Sequence, residues 1–204
     1  MKKGVVPCPG IGTDARWGCS HTRGWVFGYK LHLTSTTAAG NLVVPLTADD
    51  VTTANVPDNQ MYVALTSSSS SSSSIFLLPS LRYMAADPGY DDRKLYEYSK
   101  KILGMDLVCP VERHKSTSKR RLEIVCFYES ALGQAIYSRR KTSIEPLIEH
   151  IKSVFRIDPL PVRGFHAVSA IVLLSVLLYR IMVYYSCKTN TINPKSIKYM
   201  LGTY

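Results

Sequence analysis

No glycine-rich phosphate loop, no Ser-His-Asp order and no nucleophilic cysteine context occurs in these 204 residues. Nothing therefore speaks for the common nucleotide-binding or covalent-hydrolase classes. Cysteine is sparse and odd in number: Cys8, Cys19, Cys109, Cys126 and Cys187 stand apart, with no C-x2-C pair. That spacing argues against a zinc knuckle or a disulfide framework and reads as free thiols in a reducing cytoplasm. The opening Met1-Lys2-Lys3-Gly4 lacks the apolar stretch of a secretory signal. His21, His32, His114, His150 and His166 show no ligand spacing. Acid is the scarce charge, 15 Asp and Glu against 25 Lys and Arg, for a net charge of +10. A balance of that kind points to a polyanionic partner, either nucleic acid or an anionic membrane surface.

What is present has the texture of a globular domain, 46% hydrophobic and 20% charged. Residues 1–24 are rich in Gly, Pro and Cys without a period and read as an irregular lead-in. Residues 25–34 are aromatic and β-branched, which predicts a strand, and 42–46 a second strand in a hairpin with it. Residues 55–65 predict a short helix, with Pro57 near its first turn. The eight serines of 67–74 bury nothing apolar and read as a surface loop. Strands are expected at 81–86, 106–111 and 120–128, and helices at 91–103 and 143–155. The order of elements predicts an α/β plan.

Asp87 falls where a strand stops at Pro88-Gly89, and Glu145 falls in the first turn of a later helix. Each placement has an ordinary structural cause, as a turn residue or as a charge on a helix N-terminus. Together, two hard oxygen ligands from separate elements suit Mg²⁺ or Mn²⁺, which take one or two carboxylates with substrate phosphates. Basic residues crowd the same region: 14 Lys and Arg lie between Arg93 and Arg156, against 7 acidic residues. Arg113, Lys115, Lys119, Arg120 and Arg121 form one cluster, and Arg139, Arg140 and Lys141 form another beside Glu145. The first reads equally as a solvated loop and as a phosphate-binding patch; the second is expected to touch DNA.

Several blocks in order carry a resemblance. Gly28-Tyr29-Lys30-Leu31-His32, then Val44-Pro45-Leu46 and Ala54-Asn55-Val56-Pro57-Asp58, are similar to the first hairpin and helix of DDE-type insertion-sequence transposases. Ala86-Asp87-Pro88-Gly89-Tyr90-Asp91 resembles their second-aspartate block, and Ile144-Glu145-Pro146-Leu147-Ile148-Glu149-His150-Ile151-Lys152 their glutamate block. The resemblance implies an RNase H-like mixed sheet flanked by helices and an Asp-Asp-Glu site holding two metal ions. Asp87 and Glu145 would be metal-binding catalytic residues, with Tyr137, Arg139, Arg140, Lys141 and Lys152 on the DNA. It also implies double-stranded transposon ends as partner, homodimerisation as a possible state, and a prokaryotic cytoplasm near the nucleoid. In the family's Tyr-x2-Arg-x3-Glu-x6-Lys signature, Glu145 and Lys152 keep their spacing, while Tyr137 and Arg140 stand one residue early. Asp14 is the one acidic residue upstream of the Gly-Tyr-Lys-Leu-His block. Its neighbours are small or polar, so it reads as a loop residue, the first aspartate as lacking, and the chain as an N-terminally truncated transposase that keeps the grip on DNA without the full chemistry.

The division expected is a lead-in at 1–24, a catalytic core at 25–160, and an apolar helix with tail at 161–204. Residues 165–185 carry the strongest hydropathy in the chain. The uncharged part, 167–179, spans about 20 Å as a helix, short of the ~30 Å hydrocarbon core. A helix packed on the sheet is the expectation; a single-span membrane protein and a non-catalytic DNA-binding remnant are the alternatives.

Overall fold

A computed structural model describes residues 12–20, 24–37, 43–46, 50–67, 81–111 and 118–189. The chain opens on strand β1 (Arg16–Ser20), antiparallel to β2 (Gly24–His32), whose far edge takes β3 (Asp50–Thr53). β1 covers only the first half of β2, ending at Arg16 opposite Gly28, and β3 covers the second half from Tyr29 to His32. Gly18 is required where β1 passes the end of β3, because a Cβ there would lie 2.2 Å from the Ala54 carbonyl oxygen. After α1 (Asp58–Ser67), β4 (Tyr83–Ala85) runs parallel to β5 (Asp106–Val108). The parallel pairing needs a crossover, supplied by α2 (Arg93–Tyr98) and a π-turn (Ser99–Leu103). Gly104 ends that turn at φ +66°, a left-handed conformation that glycine adopts without strain. The helices α3 (Lys119–Glu129), α4 (Ala131–Lys141), α5 (Ile144–Phe155) and α6 (Phe165–Lys188) complete the fold.

The architecture is mixed α/β, but the strands fall into a three-stranded and a two-stranded sheet, where one mixed sheet was expected. Two cores correspond to them. The first joins Val51 to Leu147, Ile151 and Val154 of α5 and to Val168, Val172, Val176, Tyr179 and Val183 of α6. The second gathers Tyr62, Leu95, Tyr96, Leu103, Met105, Leu107 and Cys109 around β5 and α2, with Met84 and Ala86 packed on it. Between them lies a cavity of about 650 Å³, walled by Leu31, Leu33, Leu65, Met84 and Ile148. The edge of β2 opposite β3, beyond Gly28, and the edge of β4 opposite β5 carry no strand among the described residues.

Three sequence expectations need correction. Residues 120–128 form helix α3 rather than a strand. The Ser118 hydroxyl accepts from the Arg121 amide, which caps the helix, and only Val125 is buried. The lead-in is not wholly irregular, because β1 lies within it. Residues 43–46 give only an isolated bridge, Ser35 to Pro45, since proline cannot donate to a ladder; the strand paired with the second half of β2 is β3. Residues 1–11 and 21–23 of the lead-in, and 68–80 with all but the first residue of the serine run, lie outside the described residues.

His32 shows what β3 contributes. It is buried, and its Nε2 lies 2.8 Å from the Thr52 hydroxyl. Burial holds its pKa below 6.5, with Asp58 and Asp50 opposing. A base whose pKa is depressed in the folded state contributes stability above its unfolded pKa, and that contribution is lost as pH falls through the folded value. Thermal melts at stepwise lower pH should therefore show a loss beginning below about pH 6.5 that is shallower in His32→Asn. Equal slopes would mean that His32 is not the titrating group.

α6 binds the first core along one stripe, while Leu174, Leu177, Leu178, Ile181 and Tyr184 on the other side are exposed. By length and composition it could cross a membrane; a third of its most apolar window is buried within the protein.

Candidate functional site

The site is built where β4 stops and two helices turn a corner. Ala86 extends the β4 ladder by donating to the Val108 carbonyl at 2.9 Å, so Asp87 leaves from a supported strand end. Pro88–Tyr90 then make a 3-10 turn, in which the Tyr90 amide donates back to the Asp87 carbonyl at 3.0 Å. Across the cavity, Ser143 joins α4 to α5. Its hydroxyl donates to the Arg139 carbonyl at 2.8 Å and its amide to the Arg140 carbonyl at 3.1 Å. That corner sets Arg140, in the last turn of α4, beside Glu145, in the first turn of α5.

Arg140 binds both carboxylates. Its Nη1 donates to Glu145 Oε1 at 3.2 Å, and its Nη2 donates to Asp87 Oδ1. The arginine side chain is only 13% exposed, whereas Asp87 and Glu145 are 50% and 58% exposed. The guanidinium is thus held in place, 5.7 Å over the Tyr137 ring, while the carboxylates keep a face to solvent. Partial burial raises the Asp87 pKa; the Asp58 and Glu145 carboxylates add to the rise and Arg140 opposes it.

Asp58, the first residue of α1, lines the same cavity and pairs with Lys30 Nζ at 3.1 Å. Lys30 also donates to the Val56 carbonyl at 3.0 Å, which anchors it at the start of the helix. Sequence reasoning passed over this pair: Asp58 opens a helix, as a capping residue does, and its partner is 28 residues away. The signal available was the acid of Asn55-Val56-Pro57-Asp58 set beside the lysine of the Gly-Tyr-Lys-Leu-His block.

Asp14 is elsewhere. It sits in a turn closed by the Ala15 amide on the Gly12 carbonyl, and its Oδ2 accepts from the Phe165 amide at 2.6 Å, at the N-terminus of α6. That hydrogen bond lowers its pKa, as a helix N-terminus does for an anion.

Of the basic residues, Arg139 and Lys141 are exposed in the last turn of α4. Lys152 reaches Glu149 at 3.0 Å and Asp158 at 3.8 Å. Tyr137 meets Tyr128 edge-on, 5.6 Å between ring centres. The first basic cluster is broken up by the fold. Arg121 turns inward to Asp91, and Arg120 pairs with Glu97 at 3.2 Å. Lys119 is exposed, and Arg113 and Lys115 lie outside the described residues.

Among the described residues no group of three or more His, Cys, Asp or Glu stands close enough to hold a metal ion. What the site offers is two hard carboxylates converging on one cation. That donor set fits Mg²⁺ or Mn²⁺ completed by water and phosphate, and does not by itself make a three-carboxylate site. A family profile described as the transposase DDE domain matches residues 5–181. No curated protein matches the chain, and no solved structure does.

Proposed function

Because the chain belongs to the transposase DDE domain family, we propose that it binds double-stranded DNA and performs metal-dependent strand cleavage and strand transfer at the Asp87–Glu145 pair. The observation that carries this reading is the convergence of both carboxylates on Arg140 at a cavity mouth, beside the basic end of α4. Asp87 and Glu145 would hold a divalent ion, which supplies Lewis-acid polarisation of a phosphodiester and an activated water. Arg139 and Lys141 place two further cations in the same last turn of α4 as Arg140, where phosphate oxygens of a duplex can be held. Lys152 lies two turns along α5, and Tyr137 backs the guanidinium. These contacts read charge and position, so binding should weaken steeply with salt.

The strand pattern supports an RNase H-like plan, with an antiparallel three-stranded unit followed by a parallel pair joined through a helical crossover. The packing of α6 on Val51 and α5 supports the core-helix reading of the apolar segment over a membrane span. A DNA substrate supports a cytoplasmic location on the nucleoid.

The test is relaxation of supercoiled plasmid with Mn²⁺ or Mg²⁺, wild type beside Asp87→Ala and Glu145→Ala. Nicking that needs the metal and disappears in both variants is the expected result. Nicking that survives Asp87→Ala would remove the assignment. A second reading, DNA binding without cleavage, is favoured by the position of Asp14 at α6 rather than in the cavity. Salt-sensitive binding with no nicking at all would establish it.

A further inference from the structure

We propose that Arg140 is an internal counter-ion that makes metal binding and DNA binding depend on one another, an inference that rests on the reading of Asp87 and Glu145 as metal ligands. The guanidinium already neutralises the two oxygens that a divalent ion would take, Asp87 Oδ1 and Glu145 Oε1. It is largely buried and backed by Tyr137, so it occupies that place as a built feature rather than as a side chain loose in solvent. A divalent ion and Arg140 cannot both sit between the carboxylates without like-charge repulsion. For the ion to enter, the arginine must find another anion.

Duplex DNA supplies one. A planar guanidinium takes two phosphate oxygens in a fork, as it takes a carboxylate. Arg139 and Lys141, exposed in the same last turn of α4, draw phosphate to that helix end. With DNA present Arg140 moves to phosphate and the carboxylate pair is released to the metal. Without DNA the pair stays satisfied and the metal is held weakly. By linkage, the metal must then raise DNA affinity by the same factor that DNA raises metal affinity. The chemistry is therefore kept off until substrate is bound.

The experiment compares wild type, Arg140→Gln, Arg140→Lys and Asp87→Asn. Mn²⁺ affinity is read without DNA from the paramagnetic resonance of free Mn²⁺, and duplex affinity from fluorescence anisotropy with and without Mn²⁺. Removing one positive charge about 5 Å from a divalent ion in a solvent-like dielectric should tighten Mn²⁺ binding about tenfold in Arg140→Gln. Arg140→Lys, which keeps the charge, should stay near wild type. Mn²⁺ should strengthen duplex binding by wild type, and strengthen it less in Arg140→Gln, where only direct coordination of phosphate by the metal remains. Equal Mn²⁺ affinity in wild type and Arg140→Gln, or DNA coupling as large in Arg140→Gln as in wild type, overturns the proposal and leaves the carboxylate assignment standing. Absence of Mn²⁺ binding in every variant, or binding indifferent to Asp87→Asn, removes the carboxylate assignment and the proposal with it.

Discussion

Arg121→Ala is expected to cost about 3–5 kcal/mol of stability, the range found when one partner of a buried ion pair is removed. Arg121 Nη1 donates to Asp91 Oδ1 at 2.6 Å and its Nη2 to Asp91 Oδ2. The two side chains are 11% and 8% exposed, so solvent cannot take over if the guanidinium is lost. Asp91 also accepts from the Tyr96 hydroxyl at 3.1 Å, and that hydroxyl lies 2.9 Å from Cys109 Sγ. Burial drives the Tyr96 and Cys109 pKa values up, so both stay neutral and add no second anion beside Asp91. Urea unfolding of Arg121→Ala, Asp91→Asn and the double variant should show the double costing less than the two singles combined. Although Arg121 belongs to a basic run in the sequence, folded Arg121→Ala should bind duplex as wild type does, and Arg139→Ala more weakly. A loss under about 1 kcal/mol would return Arg121 to the surface.

The second large effect separates two residues of one helix. Val176 is fully buried in the first core, while Leu174, two positions earlier on α6, is 53% exposed. Val176→Asp places an unpaired carboxylate among Val172, Tyr179 and Ile151, a penalty of several kcal/mol that rivals the whole stability of a domain this size. Leu174→Asp should change stability by about 0.5 kcal/mol or less, as exposed sites do. Expression with protease protection, followed by thermal melts, would read the contrast. A bilayer around α6 would penalise both aspartates alike, so equal damage would count against the core-helix reading.

How much of this was legible depended on the distance over which each decision is made. α5 shows Ile144, Leu147, Ile148, Ile151 and Phe155 at helical spacing; Leu147 and Ile151 are buried in the first core, Ile144 and Phe155 pack against it, and Val154 joins it unforeseen. α6 was equally plain from its hydropathy. α3 was misread because Ile124, Val125 and Phe127 favour strands, and what overrides them is a local cap at Ser118 with helical packing against the second core. β1 and β3 were missed for another reason: Arg-Trp-Gly-Cys-Ser and Asp-Val-Thr-Thr are too short and too polar to alternate visibly, and pairing with β2 alone holds them extended.

The candidate site divides in the same way. Asp87 and Glu145 were found because a strand end and a first helical turn are local features. Arg140 was placed near DNA from its neighbours, but its contact with Asp87 crosses 53 residues, and no spacing in the sequence encodes that. Its offset of one residue from the family's arginine position looked like a weakness of the match. In the fold, Ser143 turns the chain so that Arg140 and Glu145 meet.

Asp87 is anchored in one hydrophobic core, through Met84 and Ala86, and Glu145 in the other, through Leu147 of α5. Arg140 therefore bridges the two packing units in the free protein, and a divalent ligand that takes both carboxylates would bridge them more strongly. Unfolding without such a ligand can proceed in two steps, with the site lost at the first of them. A ligand that grips both sides adds its binding free energy to the native state alone. The two transitions should then merge into one, and the sharpness of the melt becomes a report on whether the site is occupied.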